Sequence, residues 1–445
     1  MQKLPQYIES FMDIFRKNDF AIYVVGGSIR DLLVGRVHKD WDFATSATPE
    51  EILKLFPKGF YNNKFGTVGI SLEVNENVYV FEVTTFRREA EYKDGRRPEK
   101  IEWVKTIEED LARRDFTVNA IAYDGKNFVD PFGGKKDVEK KLIRAVGDPD
   151  KRFQEDALRL MRAVRLSSEL GFLIEEKTRD SIRKNALLIK DISGERIRDE
   201  FFKILSSGNP AEGILFLRSC GLLEQILPEV DTAFEIPQKS PKRHHIYDVG
   251  THLVMALKTT PSTNPIVRFA TLLHDIGKVK AFKKDPETDL ITFFNHEVIG
   301  AKQAGQIADR FKLSKKDKEK LILLVRHHQF TVSELQTDKA IRRFIREVGK
   351  ENVQDMLDLR TGDRVGSGST PTSWRLDLFK KRLEEVQKKP FSITDLKIDG
   401  KDVMKELKIK PGPKIGEILN TLFEEVVEGK LKNERSELLR KVKTI

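Results

Sequence analysis

Along the first 145 residues the apolar pattern changes period repeatedly, as interleaved strands and helices require. A helix is predicted over residues 5–17, where acidic and basic residues alternate along an amphipathic pattern, and the apolar run Ala21–Val25 reads as a buried strand. Gly26-Gly27-Ser28 breaks that strand, and Ile29–Leu33 starts a helix. Trp41–Ala44 reads as a second strand. Thr48-Pro49-Glu50-Glu51 combines a cap, a first-turn proline and first-turn acids, so a further helix starts there. Thr67–Val74 and Val78–Thr85 pattern as a hairpin about Asn75-Glu76-Asn77. The charged stretch Arg87–Lys100 is expected to form a mobile loop.

From Asp150 to Leu227 the period is helical, with breaks at Gly171, Ser193-Gly194 and Gly208-Asn209-Pro210. Two prolines and weak periodicity over 229–243 mark a boundary. Helical patterning resumes from His244 to Val365, and Gly366–Pro371 forms a linker to a smaller basic region. The expected division is a mixed head (1–148), a helical neck and body (149–232), a second helical domain (235–370) and a basic tail (371–445).

Composition narrows the class. The 445 residues suit two to four domains. With 39% apolar and 34% charged residues and 28 Phe, the chain has material for packed cores and is not a disordered polymer. No apolar run approaches the roughly 20 residues of a membrane span, and the N-terminus lacks the pattern of a signal peptide. A cytoplasmic protein without a membrane partner is expected. Cys220 is the only cysteine, which excludes an internal disulfide or a thiolate metal cluster. The net charge of +10 suits either an ion-paired surface or a polyanionic partner.

Candidate chemistry begins in YVVGGSIRDLLVGRVHKDWDFAT. Glycines let a backbone approach phosphate closely, and a helix N-terminus offers unpaired N–H groups to an anion. Asp40 and Asp42, two apart on a strand, project to one face and repel unless a cation lies between them. Two carboxylates beside a triphosphate site are what two-metal nucleotidyl transfer requires. The bland alternative is a solvated Asp pair beside a structural turn.

This string resembles the signature of class II tRNA nucleotidyltransferases and bacterial poly(A) polymerases, and further segments match that family in order. EEDLARRDFTVNAIAYD resembles the motif that shapes the nucleotide and ribose pocket, DPFGGKKDVEKKLIRAVGDP the hinge, and RFQEDALRLMRAVRLSSELGF the Glu-Asp-x-x-Arg motif that selects the base. The resemblance implies a multidomain α+β chain: a polymerase-β-type nucleotidyltransferase head followed by an all-α neck and body. It implies Mg²⁺ on Asp40 and Asp42, triphosphate contacts from Gly27 and Arg30, a nucleotide contact from Arg114 and a pocket shaped by Asp115 and Asn119. Arg113 is an adjacent alternative to Arg114, and Glu82 is either a third carboxylate or a strand-edge charge. Asp156 and Arg159, three apart on a predicted helix, share a face and offer acceptors and donors to the Watson–Crick edge of C or A; spacing alone equally suits a solvated helix with internal salt bridges, and it is the resemblance that favours base selection. Glu155 orients Arg159. Arg162 and Arg165 continue that face toward phosphates.

Seven of the eight histidines lie between His244 and His328. LLHDIGK, with His274-Asp275 between an apolar run and Gly-Lys, resembles the HD phosphohydrolases. That resemblance implies a helical HD-type domain whose ligands are His252, His274, Asp275 and Asp363, with His296 and His327 at a possible second metal. His244, His245 and His328 are left as surface or supporting groups. Imidazole and carboxylate without thiolate suit Mg²⁺, Mn²⁺, Ni²⁺ or Fe. The alternative is a helical scaffold without catalysis. The tail, which also matches enzymes of this kind, carries lysines beside a Gly-Pro turn over Lys408–Lys414, set either to contact phosphate or to cap the preceding domain.

The leading function is template-independent addition or repair of the tRNA 3′-CCA from CTP and ATP, with tRNA as partner and no obligate protein partner. Hydrolysis of phosphoesters, such as 2′,3′-cyclic phosphates, is the second activity that the histidines suggest. The rivals are an enzyme adding only A, to tRNA or as a poly(A) polymerase, and a metal phosphohydrolase whose head merely binds RNA. In the resembled family, enzymes restricted to CC lack a flexible loop like Arg87–Lys100, which argues against a CC-only enzyme.

Overall fold

The computed structural model describes residues 4–36, 41–61, 66–74, 77–93, 97–238, 247–388, 393–427 and 430–444. The head holds strands β1 (Ile22–Val25), β2 (Asp42–Thr45), β3 (Phe60–Tyr61), β4 (Thr67–Val74), β5 (Asn77–Thr85), β6 (Arg87–Lys93), β7 (Arg97–Trp103), β8 (Ala122–Tyr123) and β9 (Phe128–Val129). Its first four helices are α1 (Gln6–Arg16), α2 (Gly27–Val34), α3 (Pro49–Leu55) and α4 (Ile107–Ala112). Seven strands form one mixed sheet in the order β3-β4-β5-β2-β1-β8-β9, with β2 and β5 parallel. The Thr48 expectation holds in detail: Thr48 and Glu51 form a reciprocal capping box at the start of α3.

One face of the sheet is covered by α1, whose Ile8, Phe11, Met12 and Phe15 are buried. Phe11 meets Phe43 and Phe81, each at 4.9 Å between ring centroids. Burying each such ring contributes about 1.5–3 kcal/mol. The opposite face is covered only in part, where Ala44, Phe86, Ile107, Leu111, Ala120 and Ala122 pack together under α4. On the same face Asp42 is half-buried and Glu82 is exposed.

Residues 87–93 and 97–103 depart from the expected mobile loop. Their backbone pairs as an antiparallel hairpin, β6 with β7, in a register running from Arg87↔Trp103 to Lys93↔Arg97. The charge of this stretch conceals an Asp94-Gly95 dipeptide, a strong hairpin signal in sequence.

Among the described residues after Val129 the regular elements are helices, apart from two short strand pairs. The apolar core that begins at Leu4 runs unbroken through the neck and the histidine-bearing helices to Val386. The Gly366–Pro371 stretch joins two helices, Val353–Gly366 and Trp374–Lys388, that both bury side chains in this core. A separate small core begins only at Leu396 and ends at Val442. Among the described residues no helix is long and apolar enough to cross a membrane.

Candidate functional site

At the end of β1 the chain turns through Gly26, whose φ of +68° is open to glycine and strained for other residues. The same turn is crowded: a Cβ on Gly26 would lie 3.0 Å from Arg114 Nη1 and 3.9 Å from Asp42 Oδ2. Strand end, helix start, a carboxylate and a guanidinium therefore meet at one point. Ser28, the second residue of α2, accepts the Asp42 N–H at Oγ (3.0 Å), tying β2 to that helix start. Asp42 stands in register with Glu82 of the parallel strand β5, so both carboxylates leave the sheet on one face. Asp40 lies outside the described residues.

The basic groups here are held in place by neighbours. Asp110, wholly buried on α4, accepts from Arg113 (2.8 Å) and Arg114 (3.0 Å) through its two oxygens. Arg30 donates to Asn119 Oδ1 (2.7 Å) and to Asp31 (2.9 Å), and its guanidinium lies beside Gly27. Asp110 escaped the sequence reading. Its signal was the i, i+3 and i+4 spacing of Asp110 in the last turn of a helix and Arg113 and Arg114 just past its end.

Asp115 joins this motif to the neck. Its Oδ2 lies 2.6 Å from Arg162 Nη2, and its Oδ1 accepts from Phe116 N–H (2.8 Å) and Asn119 Nδ2 (3.1 Å). Burial works to raise its pKa, but the Arg162 guanidinium and the Asn119 hydrogen bond outweigh it, holding the carboxyl well below the usual range. A depressed folded pKa contributes stability that is fully present above the ordinary Asp value of about 4 and is lost as pH falls through the folded value. Asp115→Asn is therefore expected to lower stability by about 2 kcal/mol at pH 7, Arg162 being partly solvated. Denaturant melts should show that deficit shrinking below about pH 4.

The Glu-Asp-x-x-Arg segment differs from the expected single helix face. The helix Pro149–Glu155 ends at Asp156, whose backbone is extended (φ −146°, ψ 104°), and a new helix runs over Leu158–Leu170. Asp156 caps that second helix by accepting the Leu158 N–H (3.1 Å) and pairs with Arg196 (3.0 Å). A carboxylate able to cap competes with helix continuation, which is why spacing alone misplaced it. Arg159 is buried, donating to Glu155 Oε2 (2.6 Å) and Arg152 O (3.0 Å). Arg165 Nε lies 2.9 Å from Glu200, a buried acid that sequence did not single out.

The second cluster is built by close helix approaches. A Cβ on Gly277 would lie 2.0 Å from His296 O, so only glycine lets those two segments touch. Gly362 and Gly366 likewise seat the helix Val353–Gly366 against Val249–Thr259, where a Cβ would meet Ala256 backbone atoms at 2.7 and 2.5 Å. His252 Nε2 then lies 3.1 Å from His274 Nε2 and 3.4 Å from both Asp275 Oδ2 and Asp363 Oδ1. On the other side of Asp275, Oδ1 lies 3.2 Å from His296 Nε2 and 3.4 Å from His328 Nε2. Asp275 thus faces two groups of ligand atoms, His252 with His274 and His296 with His328.

Tautomers sharpen the chemistry. Nδ1 of His274, His296 and His328 each faces a backbone carbonyl, of Thr271 (2.7 Å), Phe293 (2.8 Å) and Val325 (2.8 Å). A carbonyl only accepts, so Nδ1 carries the proton and a neutral ring aims its Nε2 lone pair inward. Nε2 of His296 and of His328 is buried with no hydrogen-bond partner. Lone pairs facing carboxylate oxygens repel unless positive charge joins them, and this donor set fits divalent metal ions. The same demand appears in titration: burial works against charging His274, yet Asp275 and Asp363 push its pKa up to about 10. Lys278 Nζ supplies one buried charge, 2.6 Å from Asp275 Oδ2.

Of the histidines named from sequence, His252, His274 and His296 meet here together with Asp275 and Asp363, and His327 does not. His328 takes its place. Leu321, Leu324 and Val325 form the buried stripe of the helix Lys315–His327, and position 328 continues that stripe at i+7 from Leu321 whereas 327 falls off it. His244 and His245 lie outside the described residues.

Residues 22–144 match the poly A polymerase head domain family, 171–234 the family described as probable RNA and SrmB-binding site of polymerase A, and 282–442 the tRNA nucleotidyltransferase domain 2 family. The chain is 33% identical to the CCA-adding enzyme of Ligilactobacillus salivarius (strain UCC118), over all of this chain and 98% of that one. It is 48% identical over 209 residues to the CCA-adding enzyme of Geobacillus kaustophilus (strain HTA426), a stretch spanning 46% of this chain and about half (51%) of that relative. The Bacillus stearothermophilus CCA-adding enzyme in complex with CTP superposes with a TM-score of 0.75 at 28% identity, covering 99% of this chain and 97% of that one. The Thermotoga maritima CCA-adding enzyme complexed with tRNA shares the fold, with a TM-score of 0.62 at 21% identity, covering 99% and 96%.

Proposed function

This chain belongs to the CCA-adding enzymes of the tRNA nucleotidyltransferase and poly(A) polymerase family, and from that premise we propose that it adds or repairs the 3′-terminal CCA of tRNA from CTP and ATP. The observation that supports this most directly is the meeting of Asp42, Glu82, Arg114 and the Gly26 turn at the start of α2. Divalent metal use goes with the family, and Mg²⁺ on Asp40 and Asp42 would polarise the α-phosphate and the attacking 3′-hydroxyl. Gly27 and Arg30 receive the triphosphate at the helix start, and Arg114, fixed by Asp110, neutralises charge beside it. A cytoplasmic location is proposed with this function, as is the division into head (1–148), neck (149–232), helical domain (235–370) and tail (371–445).

Incorporation assays with CTP alone, ATP alone and both, on tRNA ending before and within CCA, test the proposal. Two C additions followed by one A are expected. Incorporation of A alone, or of long A tails, would select the A-adding alternatives.

Base choice is proposed to rest on Asp156 and Arg159, held by Arg196 and Glu155. Asp156→Ala or Arg159→Ala should reduce discrimination of CTP and ATP against UTP and GTP by ~10–100-fold in kcat/KM, because a wrong base no longer leaves buried polar groups unpaired. An unchanged ratio with a lower overall rate would make the pair structural.

A second activity is proposed for the histidine cluster, favoured by the inward-facing lone pairs around Asp275. His252, His274, Asp275 and Asp363 would hold one divalent ion, and His296 and His328 a second, with Asp275 shared. Bound metal would supply an activated water for phosphoester hydrolysis. A cavity of about 430 Å³ opens beside the cluster, lined by Arg360 and Arg364 among others, and gives a phosphate room and charge.

A further inference from the structure

The row of active-site residues continues past Glu82. Asp42 on β2 is in register with Glu82 on β5, Glu82 with Gly69 on β4, and Gly69 with Phe60 on β3. These four residues form one line across four adjacent strands. Register partners share a sheet face, and burial says which face it is. Their strand neighbours Phe43, Phe81, Val83, Val68 and Ile70 are buried, whereas Glu82 is exposed. At Gly69 a Cβ would lie 2.3 Å from Phe60 Cζ and 2.7 Å from each Cε. The far edge of the ring therefore rests on bare glycine backbone, about one strand spacing (~4.8 Å) from the Glu82 column. Phe60 nevertheless remains 48% exposed, and Val80, the next outward residue on β5, 51%. A ring folded onto a cross-strand glycine is a packing pair in its own right, but this one is left half in solvent, one strand from Glu82 and two from Asp42.

Direction gives the ring a use. The triphosphate groups, Gly26, Gly27, Arg30 and Arg114, lie at the end of β1, which flanks β2 on the side away from β5. In-line displacement sets the attacking oxygen opposite the leaving group. The acceptor strand must then arrive over β5, β4 and β3, where Phe60 lies. We propose that Phe60 is a positioning residue on which the 3′-terminal nucleotide of the acceptor RNA stacks, so that its hydroxyl is presented to the Asp42–Glu82 face. Stacking on a ring tolerates any base, which suits an acceptor whose last nucleotide changes after every addition. This inference rests on the nucleotidyltransferase function proposed above.

The test measures incorporation by the full-length protein at saturating CTP, comparing wild type, Phe60→Ala and Phe60→Trp. Two acceptors are used, one with a normal 3′-nucleotide and one whose 3′-nucleotide is abasic. Phe60→Ala should raise KM for the normal acceptor about 10-fold, leave KM for CTP unchanged and leave the thermal midpoint near that of wild type. Phe60→Trp should restore KM. On the abasic acceptor, wild type and Phe60→Ala should be equal, an outcome that a merely structural role would not produce. Equal KM values on the normal acceptor, or a penalty that persists on the abasic one, would overturn the inference. Wild-type protein that incorporates no nucleotide on any acceptor overturns the underlying function and this inference with it.

Discussion

Asp42→Ala is expected to lower nucleotide incorporation by ~10³-fold or more while tRNA affinity changes by no more than about twofold. The carboxylate leaves the sheet face in register with Glu82, beside the Gly26 turn and Arg114. In the proposed reaction its removal would take away a ligand for the ion that would stabilise charge developing on the α-phosphate, and each 1.36 kcal/mol lost there is tenfold in rate. RNA affinity is a different matter, since it comes from many phosphate contacts along the chain. Asp42→Asn separates charge from shape: it keeps the size of the side chain and should be nearly as inactive. Single-turnover incorporation and filter binding on the same samples decide the matter. Residual activity within tenfold of wild type would remove Asp42 from the reaction.

How legible this site was in sequence differs from residue to residue. The Gly26-Gly27 break and Asp42 were readable because strand, tight turn and helix follow one another locally, and local order is what periodicity reports. The Glu82 placement was left open because its meaning lies in a parallel register, a pairing between strands 40 residues apart that no local pattern encodes. Asp156 misled for the opposite reason. A three-residue spacing implies a shared face only if the helix is continuous, and the Asp156 side chain stabilises a break instead. Phe60 shows no motif at all, since its position depends on Gly69 being opposite it. In the hairpin of β6 and β7, charge outweighed the turn signal in the reading, although half-exposed strands carry charge readily.

The histidine cluster carries the last expectation: Asp275→Asn should strip the divalent metal from the full-length protein and leave CCA addition within about twofold of wild type. Among the described residues Asp275 is the one group that faces both sets of imidazoles, through Oδ2 toward His252 and His274 and through Oδ1 toward His296 and His328. Its neutral isostere halves the carboxylate charge of the Asp275–Asp363 pair and would put an amide where the proposed pair of ions would require an anion. A metal affinity loss of ~10²-fold or more follows, because replacing even an outer partner of a metal ligand costs ~10–100-fold. Elemental analysis after dialysis against Mn²⁺ or Ni²⁺ reads this directly, with roughly two ions expected in wild type if Asp275 bridges. His328→Ala should lose about half of that content, whereas His327→Ala should lose none, since only position 328 lies on the buried stripe. Phosphoester hydrolysis should fall in step with metal content. The same helices share one core with the neck, so the thermal midpoint must be measured alongside. Asp275→Asn protein that folds as wild type and keeps its full metal content would show that the inward-facing lone pairs serve another end.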